Sequence, residues 1–224
     1  VSTLEGKIAE IFKSIQGEGL YQGIDQVFVR FFGCNLGCSF CDTKLVSYEK
    51  KTIPELLDEI GSFGSYHSLS LTGGEPLLQV DFLKDLLKLV KQRKQKVYLE
   101  TNGTLPENLE EVINYTDIIA MDFKLPSSTG LESFWDKHQE FLGIAKEKKT
   151  FVKAIIGTST RVEDIYKTIE IIKSVAKETV LVLQPQNPFE IMVKAKLDDF
   201  EQLCREEGLE VKVISQMHKR LGLE

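Results

Sequence analysis

Cysteine is scarce in this chain. There are four in 224 residues, too few and too unevenly placed for the disulfide framework of a small secreted domain. Histidine is rarer still, with only His67, His138 and His218, so a site built on imidazoles would need nearly all of them. No apolar run approaches the roughly 18 residues that a membrane span requires, and the first residues lack the charged-then-apolar pattern of a signal peptide. No repeat, low-complexity tract or linker rich in Gly, Pro or Ser divides the chain, so residues 1–224 are expected to form one domain. Positive charge is not in surplus either: the formal net charge of -6 argues against nucleic acid as a partner. The one basic stretch, Lys91 to Lys96, closes a predicted helix, where cations suit the dipole and solvent. Thiols without a disulfide framework, and no membrane segment, lead to the expectation of a reducing cytoplasm.

Three of the four cysteines fall within eight residues, as Cys34, Cys38 and Cys41 of Gly-Cys-Asn-Leu-Gly-Cys-Ser-Phe-Cys-Asp-Thr. Thiolates are the usual ligands of a 4Fe–4S cube, and a loop this short can aim three of them inward. One iron is then left without a cysteine, open to another ligand. Two other readings share the motif. A structural zinc site would recruit a fourth ligand from His67, His138, His218 or Cys204. An electron-transfer cluster would use Cys204. That residue sits in an amphipathic segment with Phe200 and Leu203, where a core thiol is expected.

Strand-like and helix-like segments alternate almost throughout. Short apolar runs bounded by turn residues predict strands at Lys7 to Phe12, Gln26 to Phe32, Ser68 to Thr72, Lys96 to Thr101, Asp117 to Asp122, Thr150 to Ile156, Thr179 to Gln184 and Glu210 to Ile214. Amphipathic helices are predicted after the capping box at Thr52 to Glu55. Others are predicted at Phe82 to Gln92, Pro106 to Ile113, Leu131 to Glu147, Val162 to Ala176 and Leu197 to Glu207. This alternation implies an α/β fold around a parallel sheet, open or rolled into a barrel, with its site at the carboxyl ends of the strands. Those ends lead into the cysteine loop, Thr72-Gly73-Gly74-Glu75-Pro76, Glu100-Thr101-Asn102-Gly103, Asp122-Phe123-Lys124 and Gln184-Pro185-Gln186-Asn187. Polar and glycine-rich groups thus gather on one rim.

The chemistry of these groups is specific. The paired glycines let a ligand approach the backbone, and Glu75 can accept from an ammonium group. In Ser14-Ile15-Gln16-Gly17-Glu18-Gly19, Gln16 can donate and accept and Glu18 can accept from a guanidine-like edge, while Arg30 can pair with a carboxylate. Together they suit a flat heterocycle bearing an acid.

The cysteine spacing with Gly-Gly-Glu-Pro after a following strand resembles the radical S-adenosylmethionine enzymes. The Ser-Ile-Gln-Gly-Glu-Gly loop, Arg30, the Cys-Asp-Thr extension, Glu-Thr-Asn-Gly and His218-Lys219 narrow the resemblance to the 7-carboxy-7-deazaguanine synthases, over about Ile11 to Gly222. It implies a partial barrel of about six parallel strands with a reduced helix complement. The implied reaction is a radical ring contraction of 6-carboxy-5,6,7,8-tetrahydropterin to 7-carboxy-7-deazaguanine with loss of ammonia, on the route to queuosine and other 7-deazapurines. Cys34, Cys38 and Cys41 would hold the 4Fe–4S cluster. Phe40, Cys41, Asp42, Gly74, Glu75, Asp122, Phe123, Lys124, Gln184, Pro185, Gln186 and Asn187 would contact S-adenosylmethionine. Ile15, Gln16, Gly17, Glu18, Arg30, Thr72 and His218 would bind the pterin, and Thr43 would ligate Mg2+. A homodimer and an electron donor such as flavodoxin follow from the same resemblance. The chain departs from some relatives at its Leu221-Gly222-Leu223-Glu224 end and at Gln186-Asn187. Another radical S-adenosylmethionine enzyme, such as a glycyl-radical activating enzyme, is the alternative.

Overall fold

The computed structural model describes residues 4–41, 43, 45–187 and 191–217. Nine strands form one sheet: β1 (Glu5–Ile15), β2 (Asp25–Phe31), β3 (Glu49–Thr52), β4 (Ser68–Gly73), β5 (Val97–Thr101), β6 (Ile118–Phe123), β7 (Lys149–Ile156), β8 (Val180–Pro185) and β9 (Val211–Val213). Their order is β3-β1-β2-β4-β5-β6-β7-β8-β9. From β2 through β9 every pairing is parallel, whereas β1 runs antiparallel to both β2 and β3. Six principal parallel strands are therefore present, with the three-residue β9 as a short seventh. The two edge strands, β3 and β9, do not pair with each other among the described residues, so the barrel is partial.

The helices are α1 (Ile53–Ser62), α2 (Val80–Gln92), α3 (Pro106–Val112), the single turn α4 (Pro126–Thr129), α5 (Trp135–Ala145), α6 (Val162–Val175) and α7 (Ile191–Glu206). The expected capping box opens α1: the Glu55 carboxylate accepts from the Thr52 backbone N–H at 2.8 Å and from its hydroxyl at 2.6 Å. Lys91 of the basic stretch pairs with Asp117 at 2.7 Å, which ties the end of α2 to the start of β6.

Alternation along each parallel strand divides the molecule into two apolar layers. Val27, Val29 and Phe31 of β2, Leu69 and Leu71 of β4, Val97 and Leu99 of β5, and Ile119, Met121 and Phe123 of β6 join the main core, beneath Leu83, Leu86, Leu87 and Val90 of α2 and Phe141 and Leu142 of α5. Each such side chain contributes roughly 1.5–3 kcal/mol when fully buried. The other face of the strands turns into the barrel, where Tyr98, Ile118, Ala120, Phe151 and Val182 form a second, smaller cluster. Toward the carboxyl ends this inner face becomes polar, with Thr72, Glu100, Asp122, Lys153 and Gln184. The sequence of each strand thus seals the barrel at one end and opens it at the other.

Three elements differ from expectation, one of them α7, which begins at Ile191 rather than near Leu197. β3 (Glu-Lys-Lys-Thr) carries no apolar residue and no alternation, and its charges are those of an edge strand protected from further pairing. Helix α5 begins at Trp135 rather than near Leu131, because the chain first completes α4 and turns at Gly130, which has φ +75.

Candidate active site

A cavity of about 750 Å³ opens at the carboxyl ends of the strands. Its floor is the polar inner face of the barrel, and its rim is made by the cysteine loop, the 15–18 loop and the segment after β8.

The cysteine loop leaves β2 and lies against the end of β4, backbone on backbone. Gly74 N–H donates to the Phe31 carbonyl at 3.1 Å and Glu75 N–H to that of Gly33 at 2.8 Å. A Cβ on Gly74 would lie 1.9 Å from the Gly33 carbonyl oxygen, and one on Gly73 (φ +129) 2.2 Å from that of Phe31. The space the glycines leave is thus filled in part by the cysteine loop itself, where sequence reasoning assigned it to a ligand. On its far side the loop is tied to α4 by Ser39, whose N–H donates to the Thr129 carbonyl at 3.0 Å and whose hydroxyl donates to that of Ser128 at 3.2 Å. Cys34, Cys38 and Cys41 all reach the cavity wall as free thiols. Among the described residues no three His, Cys, Asp or Glu side chains close around a single ion. Three thiolates bound to three different irons of a cube need not converge on one point. Burial raises the Cys34 and Cys38 thiols above their ordinary value.

Glu75 requires a correction. Its side chain is fully buried and points away from the cavity, accepting from Thr101 Oγ1 at 2.9 Å, the Asn102 N–H at 2.8 Å and the Leu77 N–H at 3.1 Å. It therefore braces the turn after β5 and is not placed to accept from an ammonium group in the cavity. Burial pushes its carboxyl up to about 7 against those donors. Phe123 also faces the core, stacked on His138 with centroids 4.6 Å apart, so only its backbone is available to the site.

The remaining described candidates meet in the cavity. Phe40, Cys41, Gly74, Asp122 and Lys124 line one flank together with Gln184, Pro185, Gln186 and Asn187. Lys124 donates to Asp122 Oδ2 at 2.9 Å and lies 5.8 Å from the centre of the Phe40 ring. Two buried atoms of this set, Asp122 Oδ1 and Gln184 Oε1, have no partner among the described residues. An unpaired buried acceptor is costly, and both suit a ligand rich in N–H and O–H groups. Ile15, Gln16, Gly17, Glu18, Arg30 and Thr72 line the same cavity. Thr43 is also on the wall, its carbonyl accepting from Cys41 Sγ at 3.6 Å. Asp42 and His218 lie outside the described residues.

Glu100 and Lys153 were not singled out by sequence reasoning, yet they organise these side chains. Gln16 Nε2 donates to Glu100 Oε1 at 2.7 Å and Thr72 Oγ1 to Glu100 Oε2 at 2.8 Å. Lys153 pairs with Glu18 and lies 3.7 Å from Asp122. Burial alone would lower the Lys153 ammonium, but Glu18, Asp122 and Glu100 more than offset it and raise it. Arg30 Nε is held by Glu10 at 2.8 Å. Residues 215–217 close over the loop: Met217 N–H donates to the Gly17 carbonyl at 2.8 Å, Gln22 Nε2 to that of Ser215 at 2.7 Å, and Gln216 Nε2 to Glu18. Glu100 could have been found from its place at the end of a strand beside Thr-Asn-Gly; nothing in the pattern around Lys153 marks it.

Among the described residues, none of the fourth ligands that the zinc or electron-transfer readings would use lies at the cysteine loop. Cys204 is buried in the main core on α7, where burial pushes its thiol up to about 12. His138 is sealed in the core against the Asn102 carbonyl, and His67 sits beside Ser68 at the opposite end of β4.

A parallel partial barrel with a three-cysteine loop after its first parallel strand defines a radical S-adenosylmethionine protein. The sequence model of the radical SAM superfamily matches residues 28–195, well over half of the chain, and the 4Fe–4S cluster and S-adenosylmethionine belong to that superfamily. The chain belongs, within it, to the 7-carboxy-7-deazaguanine synthase family. It is 36% identical to the 7-carboxy-7-deazaguanine synthase of Geobacter sulfurreducens, over 96% of this chain and 97% of that one. It is 34% identical to that of Methanothermobacter thermautotrophicus, over 98% of each. Among solved structures, QueE from Escherichia coli superposes with a TM-score of 0.65 over 93% of each chain at 22% identity, a likeness of fold.

Proposed function

We propose that this chain is a 7-carboxy-7-deazaguanine synthase, converting 6-carboxy-5,6,7,8-tetrahydropterin to 7-carboxy-7-deazaguanine with loss of ammonia in 7-deazapurine biosynthesis. The observation that carries this reading is one cavity that gathers both sets of groups. Its wall offers three thiols and the acceptors of Asp122 and Gln184 that are unpaired among the described residues, together with Gln16, Glu18, Arg30, Thr72 and Glu100 for a flat, hydrogen-bonding acid. Full-length relatives of that name support it.

Both implied groups fit. The three free thiols on the wall suit the cluster, and the orphaned oxygens of Asp122 and Gln184 suit S-adenosylmethionine. When bound, they supply the hydrogen-atom abstraction that starts the ring contraction. Cys34, Cys38 and Cys41 hold the cluster. The Gly74 backbone, Phe40, Asp122, Lys124 and the 184–187 segment hold S-adenosylmethionine, and in this reading Asp42 completes that set and Glu75 acts through the turn it braces. Ile15, Gln16, Gly17, Glu18, Thr72 and Glu100 orient the heterocycle, with Lys153 keeping Glu18 paired with charge and aimed into the cavity. Arg30 holds the substrate carboxylate, for which its guanidinium has two terminal nitrogens beyond the Nε given to Glu10. His218 completes the pterin site. Thr43, on the cavity wall, would supply one oxygen to Mg2+, an ion that dehydrates reluctantly and needs few protein ligands. A homodimer, a flavodoxin-type donor and a single-domain chain belong to the same proposal, the last supported by the one continuous sheet.

The test is anaerobic turnover of reconstituted protein with 6-carboxytetrahydropterin, S-adenosylmethionine, Mg2+ and a reductant, followed by mass spectrometry. The expected outcome is 7-carboxy-7-deazaguanine in molar excess over the S-adenosylmethionine consumed. Formation of 5'-deoxyadenosine with no deazaguanine product would overturn the substrate assignment and leave the superfamily intact.

A further inference from the structure

Against the cysteine loop lies a buried polar relay that the reaction does not use directly. At its centre is Asn102, only 4% exposed, in the turn after β5. Its backbone N–H donates to Glu75 Oε2 at 2.8 Å, and its carbonyl accepts from His138 Nε2 at 3.1 Å. Its Oδ1 accepts from the Thr104 N–H at 3.0 Å and the Thr104 hydroxyl at 2.6 Å. Because a backbone N–H can only donate, Oδ1 must face Thr104, and the amide cannot be flipped. The amide nitrogen is thereby turned to the cysteine loop, where it donates to Asn35 Oδ1 at 2.9 Å and lies 4.0 Å from Cys34 Sγ. An amide nitrogen carries two hydrogens; Asn35 takes one, and the other is directed at sulfur.

His138 fixes the other end of the relay. It is fully buried and stacked on Phe123, and with Nε2 against a carbonyl its proton must reside there. Its Nδ1 has no partner among the described residues. A buried ring with an orphaned nitrogen costs stability, and the one hydrogen bond it does make is to Asn102.

We propose that Asn102 is a positioning residue that donates an N–H···S hydrogen bond to Cys34 in the cluster-loaded protein, with His138 as the clamp that holds it there. Donors to ligand sulfur stabilise the reduced cluster, which carries the extra electron, and so raise its potential. Asn102 then sets how readily the cluster accepts an electron from its reductant against how strongly it drives the electron onward. The inference concerns the cluster alone and is independent of which substrate the protein takes.

The experiment is a potentiometric titration of the reconstituted protein, with hydrogen–deuterium-sensitive pulsed EPR of the reduced cluster. In the wild type exchangeable protons should couple to the cluster, one from the Leu36 N–H, which donates to Cys34 Sγ at 3.4 Å, and one from the Asn102 amide. In Asn102→Leu the midpoint potential should move to more negative values and the second coupling should vanish while the first remains, at unchanged iron content. His138→Ala should move the potential in the same direction by less, and His138→Gln, which restores a donor to the Asn102 carbonyl, should bring it back. Should Asn102→Leu fail to hold the loop, Asn102→Asp keeps the acceptor for Thr104 and removes the donor, so loss of the exchangeable coupling beyond that of the Leu36 N–H is then the deciding readout. An unchanged potential in Asn102→Leu, or an Asn102→Asp spectrum that keeps every wild-type exchangeable coupling, would overturn the proposal.

Discussion

Glu75 and His138 are both sealed from solvent, and they titrate in opposite senses. Glu75 is raised from 4.5 to about 7 by burial, so the stability it contributes is complete below its unfolded value and is lost as pH rises through 7. His138 is lowered from 6.5 to about 4, again by burial, so its contribution is complete above its unfolded value and is lost as pH falls through 4. Each shift corresponds to about 3 kcal/mol, and between pH 4 and 7 the two nearly offset. Urea unfolding of cluster-free protein over this range should reveal each one when the other is removed. Glu75→Gln should lose about 3 kcal/mol more than the wild type on going from pH 7 to pH 4, whereas His138→Gln should gain by a similar amount. Parallel curves for the two variants would show that neither carboxyl nor imidazole is perturbed as described.

At the scale of elements, the site depends on how β7 is joined to the loop after β1. Lys153 reaches from the middle of β7 to Glu18 and toward Asp122, with Glu100 nearby. Removing a cation from buried carboxylates leaves charge uncompensated, at a cost of about 3–5 kcal/mol. Lys153→Met should therefore lower the urea midpoint and raise the KM for the pterin at least about tenfold, the equivalent of about 1.4 kcal/mol, with iron content unchanged. A variant that loses iron but keeps its KM would place Lys153 in the scaffold of the cluster instead.

The same elements show what the sequence made legible. Eight strands could be placed because Val, Ile, Leu and Phe recur in short runs, and the rim could be anticipated because strand ends in a parallel sheet converge. β3 stayed hidden because its pairing with β1 is a backbone matter with no apolar pattern behind it. The reversal of β1 was hidden too, since strand direction leaves no mark on side-chain periodicity. Glu75 was misread for a related reason: the motif around it suits a ligand, but whether a carboxylate faces the cavity or the core depends on a turn 26 residues further along. Lys153, one residue among alternating apolar positions, is visible only once three carboxylates are seen around it.

Over the whole molecule, the main core and the inner site are separate layers of one sheet, and a change in one need not reach the other. Cys204 lies wholly in the outer layer. Cys204→Ala should cost about 1 kcal/mol as a small core truncation, read as a lower urea midpoint, and leave the iron and sulfide content after reconstitution as in the wild type. Loss of iron in this variant would bring back the fourth-ligand reading of the cysteines.

The contacts that close the cavity join parts of the chain that are far apart in synthesis. Cys34, Cys38 and Cys41 are made early, but the residues that hold their loop and its rim, Asn102, Thr129 and Met217, come tens to nearly two hundred positions later. Contacts of such long sequence separation form late in folding, after the loop-closure entropy has been met. The ligands of the cluster are thus among the first parts of the site to be synthesised and among the last to be fixed in place, so a lasting cluster belongs to the finished chain rather than to the nascent one.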